Sequence, residues 1–103
     1  MRLEILKEML DKADRYHPVT REDICKTFHV GDRTARRMIE ELREQGVRVY
    51  GVNDTEGYWL CKTRQEYERF RRDYTAKART IYRRTKNMDA QTDERQVDIF
   101  DLL

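Results

Sequence analysis

Residues 30–60 read VGDRTARRMIEELREQGVRVYGVNDTEGYWL, and the rest of the chain is best understood from them. Ala35, Met38, Ile39 and Leu42 recur at steps of three and four, so they form one stripe of a helix that begins at Asp32. Gly31 is an acceptable N-cap, and Asp32 complements the positive end of the helix. Gly46 is the expected left-handed residue that stops it. On a helical wheel Arg33 and Arg37 fall almost opposite the stripe, with Thr34 and Arg36 flanking them. Beyond Gly46, Val47-Arg48-Val49-Tyr50 and Tyr58-Trp59-Leu60-Cys61 place alternating apolar residues around a polar turn that ends at Gly57. That pattern predicts a β-hairpin, with Trp59 expected to pack in the core or in the hairpin and not to serve as a base-stacking platform.

Upstream, Thr20-Arg-Glu-Asp23 has the form of a capping box, with Asp23 in place of the usual glutamate. The helix it opens carries Ile24 and Phe28 on its inner face, with Cys25 beside them. His29-Val30-Gly31 is a short turn. Two short helices joined by a tight turn, the second with an exposed basic N-terminal half, make a helix-turn-helix. The chemistry agrees: a guanidinium binds guanine O6 and N7 in a bidentate manner, and a helix fits the major groove. Nearer the N-terminus, Leu3, Leu6, Met9, Leu10 and Ala13 predict an amphipathic helix over 2–15. Three helices and then a hairpin is the winged-helix order. The expected fold is mainly α with a small β-hairpin: a winged helix-turn-helix, a long C-terminal helix and a flexible tail.

Residues 30–60 resemble the winged helix-turn-helix of biotin-repressor-like and DeoR-type regulators. The matching pieces are Arg33-Thr34-Ala35-Arg36-Arg37, Ile39-Glu40-Glu41-Leu42-Arg43, Gly46, and Gly57-Tyr58-Trp59-Leu60, and the likeness covers about residues 3–62. The whole chain is also similar to small helix-turn-helix proteins of phages and prophages. The resemblance implies a regulator that binds double-stranded DNA. Two features depart from it. The wing tip holds Asp54 and Glu56 where a phosphate-gripping wing carries Arg or Lys. The recognition helix balances its arginines with Asp32, Glu40, Glu41 and Glu44, a composition that also suits a protein-binding module.

Charged residues make up 41% of the 103 residues, so the core is small and a large catalytic cleft is not expected. The net charge of +2 conceals a partition. Residues 1–63 hold 12 basic and 12 acidic side chains, residues 64–87 nine basic and three acidic, and residues 88–103 one basic and five acidic. Three segments follow: 1–63 as the winged helix-turn-helix, 64–88 as a long basic amphipathic helix, and 89–103 as an acidic linker with an apolar C-terminal peptide. No apolar run has the length of a membrane span, and the N-terminus lacks the apolar stretch of a signal peptide. Cys25 and Cys61 give no disulfide framework. The expectation is a cytoplasmic protein with reduced thiols.

Thr63-Arg-Gln-Glu66 reads as a full capping box for the third segment. Tyr67, Phe70, Tyr74, Ala78, Ile81, Thr85 and Met88 form its stripe, which needs a partner. Either the helix folds back over the head or two copies form a homodimer through the 64–88 helix. Arg71, Arg72, Arg83 and Arg84 are placed to contact DNA phosphates, together with Arg21. At the C-terminus, Gln96-Val97-Asp98-Ile99-Phe100-Asp101-Leu102-Leu103 resembles the peptide by which bacterial polymerase partners bind the sliding clamp. Gln96, Asp98 and Phe100 match that peptide. Val97 and Ile99 stand where leucine is usual, and Leu103 closes the apolar group. Two further readings stay open: the tail docks on its own domain, or it shields the basic helix.

Cys25 and His29 at i and i+4, with His17 and Cys61 elsewhere, lack the paired spacing of a zinc site, and a structural cysteine is expected. No catalytic arrangement, metal or cofactor is expected. The reading is a non-enzymatic DNA-binding winged-helix protein that regulates transcription or replication. The alternative is a protein-binding adapter that engages the sliding clamp through its C-terminal peptide.

Overall fold

The computed structural model describes residues 1–51 and 57–91. Their order is α1 (Arg2–Lys12), α2 (Arg21–Phe28), α3 (Asp32–Glu44), β1 (Val49–Tyr50), β2 (Trp59–Leu60) and α4 (Arg64–Asp89). This is the expected fold, a winged helix-turn-helix followed by a long helix; the wing tip and the tail lie outside the described residues. The chain divides into two compact units, the first ending at Arg71 and the second starting at Arg72.

In the first unit the three stripes meet. Leu6 and Leu10 of α1, Ile24 of α2, Met38, Ile39 and Leu42 of α3, and Val49 of β1 are almost fully buried. Each contributes about 1.5–3 kcal/mol of apolar burial. Ala13, Val19, Ala35, Tyr58 and Trp59 close the core, and no charged or polar residue is buried with them among the described residues.

The first helix is shorter than its apolar spacing predicts, ending at Lys12 instead of residue 15. Ala13 is extended, and the Asp14 carboxylate accepts from the backbone N–H groups of Tyr16 at 2.8 Å and His17 at 2.7 Å. This local turn offers the backbone an alternative to the helix. The His17 backbone bond, with the smaller contribution of Tyr16, holds the Asp14 carboxyl below the usual carboxylate range.

The second helix begins with the expected capping box. Asp23 N–H donates to Thr20 Oγ1 at 3.1 Å, and Thr20 N–H donates to Asp23 Oδ2 at 2.9 Å. It ends on His29, whose φ of 53° and ψ of 48° are left-handed, and His29 N–H donates to the Cys25 carbonyl. The sequence marks this turn but not the strained residue in it, because glycine is the usual occupant of such a position. Gly46, at φ 90°, follows α3 as expected.

The hairpin pairs Val49 with Leu60 and Tyr50 with Trp59, two residues per strand instead of four. A third segment joins it. Val19 N–H donates to the Tyr58 carbonyl at 2.9 Å, and Tyr58 N–H donates to the Val19 carbonyl at 2.8 Å. Gly57 allows this approach: a Cβ there would stand 2.8 Å from Pro18 Cβ. The rings of Tyr50 and Trp59 stack at 4.6 Å, so Trp59 packs within the hairpin as expected.

At the start of α4, Glu66 N–H donates to Thr63 Oγ1 at 3.1 Å. The Glu66 carboxylate accepts from Lys62 N–H at 3.0 Å, so its return bond reaches one residue further than the capping box predicts. Phe70 is buried against Tyr50, with ring centroids 5.5 Å apart. In the second unit, residues 72–89 of α4 are exposed apart from the half-exposed Thr80. No described helix is long and apolar enough to cross a membrane.

Candidate nucleic-acid interface

Burial of the Ala35, Met38, Ile39 and Leu42 stripe turns the opposite face of α3 to solvent. Arg33 and Arg37 lie exposed on that face one turn apart, with Arg36 exposed and Thr34 half-buried at its edge. Glu40 continues the same exposed row. A helix face with two guanidinium groups at i and i+4 can reach adjacent base edges or a base and a phosphate.

Asp32 organises the start of this helix. Its Oδ1 lies 3.2 Å from Arg21 Nε, and its Oδ2 accepts from Arg21 Nη1 at 3.2 Å. Arg36 Nε stands 3.7 Å from the same carboxylate. The Arg21 side chain is only 25% exposed, so this guanidinium braces the first turn of α2 against the first turn of α3. The sequence marks Arg21 as a phosphate anchor and carries no sign of the brace, because Asp32 lies 11 residues away.

Two arginines with no role assigned from the sequence hold the hairpin. Arg43 donates through Nη2 to the carbonyls of Val49 at 3.2 Å and Gly51 at 2.8 Å, and its guanidinium lies 5.0 Å from the centre of the Phe70 ring. A signal existed: Arg43 stands four residues after Ile39 and next to Leu42, at the edge of the buried stripe. Arg48 lies 4.0 Å over the Tyr67 ring. With Arg64, Glu68 and Arg71 these two line a recess of about 350 Å³. Arg72, Arg83 and Arg84 are exposed along the second unit.

Cys25 and Cys61 are free and half-buried, and burial pushes the Cys61 thiol up to about 11. Among the described residues no group of His, Cys, Asp and Glu could hold a metal ion. The expected partner peptide, Gln96, Val97, Asp98, Ile99, Phe100 and Leu103, lies outside the described residues.

The model of a known family, described as an HTH domain, matches residues 2–58. The chain belongs to the HTH domain family. No curated protein and no solved structure matches it. The HTH match spans α1, α2, α3 and β1 and ends at Tyr58, the residue paired with Val19. The chain is therefore a helix-turn-helix protein of the DNA-binding class, with no catalytic family indicated. The arginine face of α3 lies within the HTH region, and α4 lies beyond it.

Proposed function

We propose that this HTH protein is a non-enzymatic winged-helix regulator of transcription or replication, of the biotin-repressor-like or DeoR type and of phage or prophage character. It reads double-stranded DNA with α3. One observation carries this reading: Arg33 and Arg37 stand exposed a turn apart, directly opposite a fully buried stripe. Their guanidinium groups read base edges, while Thr34 and Arg36 contact the rim of the groove. Arg71, Arg72, Arg83 and Arg84 add phosphate contacts, which supply affinity without sequence information. Arg21 acts with Asp32 to hold the first turn of α3 in place.

Fluorescence anisotropy with random and selected duplexes at several salt concentrations tests this. Each phosphate engaged contributes about −0.9 to the slope of log affinity against log salt. Arg33→Ala with Arg37→Ala should weaken binding to a selected site by about 1–3 kcal/mol per lost base contact. An unchanged affinity would remove α3 from recognition, and no binding at low salt would remove DNA as the ligand.

The C-terminal peptide supports a second reading, an adapter that engages the sliding clamp. Its support is Gln96, Asp98 and Phe100 at the matching positions of the peptide it resembles. Phe100→Ala should abolish capture of the clamp and leave helical content unchanged. Failure of the unaltered chain to bind clamp at micromolar concentration would end this reading.

A further inference from the structure

Residues 72–89 of α4 expose Tyr74, Ile81 and Met88 at 45%, 54% and 64%, spaced seven apart on one face. A seven-residue repeat of apolar side chains is the pattern of a supercoiled helix pair. With these three at the d positions, Ala78 and Thr85 occupy the a positions between them. Both are small, and both are exposed. The Thr85 hydroxyl already donates to the Ile81 carbonyl at 3.1 Å, so its polar group is satisfied and its methyl is available to a seam.

We infer that this face of α4 pairs in parallel with the same face of a second copy of the chain. The flanking residues favour a second copy and set its direction. Lys77 and Arg84 fall at g, while Tyr82 and Asp89 fall at e. In a parallel pair each g residue faces the e residue five positions on in the partner, so Arg84 meets Asp89 of the second copy and Lys77 meets its Tyr82. An ion pair results, twice over by symmetry, while Lys77 shares the Tyr82 ring with Lys86 of that ring's own chain, 6.0 Å from its centre. An antiparallel pair would set g against g and bring Lys77 beside Arg84 of the other copy, which is repulsive. Within one chain neither Arg84 nor Asp89 has an ion-pair partner among the described residues.

The seam is short. Eighteen residues of helix span about 27 Å, less than three heptads, and the stretch carries six basic and two acidic side chains. The pair is therefore a weak, concentration-dependent dimer; it does not depend on the DNA-binding reading, and in it Arg84 turns to Asp89 of the second copy instead of to a phosphate.

Sedimentation equilibrium of the full chain from micromolar to millimolar concentration tests the inference, with circular dichroism confirming that each variant keeps its helix. The unaltered chain should pass from monomer to dimer. Ile81→Glu should raise the dissociation constant at least tenfold, on the order of a lost central contact. Arg84→Asp breaks both symmetry-related pairs and should raise it about two- to thirtyfold, the range of two exposed ion pairs, and adding Asp89→Arg should restore it. A chain that stays monomeric at millimolar concentration overturns the inference, including the case in which residues 92–103 cover the face instead. So does a dimer indifferent to Ile81→Glu. A dimer strengthened by Arg84→Asp would show the antiparallel arrangement and overturn it too.

Discussion

Arg43 donates to the Gly51 carbonyl at 2.8 Å, joining the last turn of α3 to the end of the strand that leaves it. The same nitrogen donates to the Val49 carbonyl, and the guanidinium covers the Phe70 ring. One side chain thus links α3, the hairpin and the start of α4. Among the described residues the two strands pair at only two positions each, so much of the hairpin's placement depends on contacts of this kind.

Arg43→Met keeps the aliphatic stem and removes the donors. Hydrogen bonds to charged groups contribute about 1.5–3 kcal/mol, and a half-buried cation over a ring adds about 0.5–1 kcal/mol. We expect a loss of about 2–3 kcal/mol in urea denaturation. A change below about 0.5 kcal/mol, the level of an ordinary surface substitution, would show that the hairpin stands without this link.

His29 occupies a left-handed conformation at the turn between α2 and α3. A side chain with a Cβ costs about 1–2 kcal/mol there, and glycine avoids that cost while losing part of the gain to its freer unfolded state. His29→Gly should therefore raise stability by about 0.5–1 kcal/mol, read as a higher melting temperature. His29→Val should lower it, because a β-branched residue tolerates this conformation least. Equal stability of all three proteins would contradict the turn geometry.

Cys61 adds a pH dependence. Burial, with a smaller contribution from Glu66, raises its thiol from the ordinary 9.0 to about 11 in the folded chain. The folded state holds this proton more tightly than the unfolded state. Its contribution to stability is complete below pH 9 and is lost as pH rises from 9 towards 11. Cys61→Ser, set against the unaltered chain, should show a shallower fall in stability over that window. Iodoacetamide at pH 8 should also label Cys61 more slowly in the folded chain than in urea. Equal labelling rates would place the thiol in water.

Much of the fold and of the α3 face was legible in the sequence. The apolar steps of α1, α2 and α3, the Thr20 and Asp23 box, the stop at Gly46 and the hairpin residues depend on neighbours within a few positions, and local rules describe such neighbours well. The exposed placement of Arg33 and Arg37 follows from the same periodicity once the opposite stripe is buried. The Asx turn at Asp14 was also local, yet it was masked by an apolar pattern that runs on to Ala13.

What the sequence by itself determined was the order of elements, the residues of the core and the arginine face of α3, because each rests on a repeat of 3.6 or 2 along the chain. Only the tertiary structure decided the partners of the polar groups. Val19 pairs with Tyr58 across 39 residues, Arg21 is held by Asp32, and Arg43 reaches the carbonyls of β1. It also decided which part of the α4 stripe finds cover: Phe70 meets the Tyr50 ring, whereas Ile81 and Met88 stay exposed. Periodicity shows that a side chain has a face to bury. Whether a donor meets an acceptor, or an apolar face meets a cover, depends on which distant backbone arrives beside it, and that is a property of packing in three dimensions.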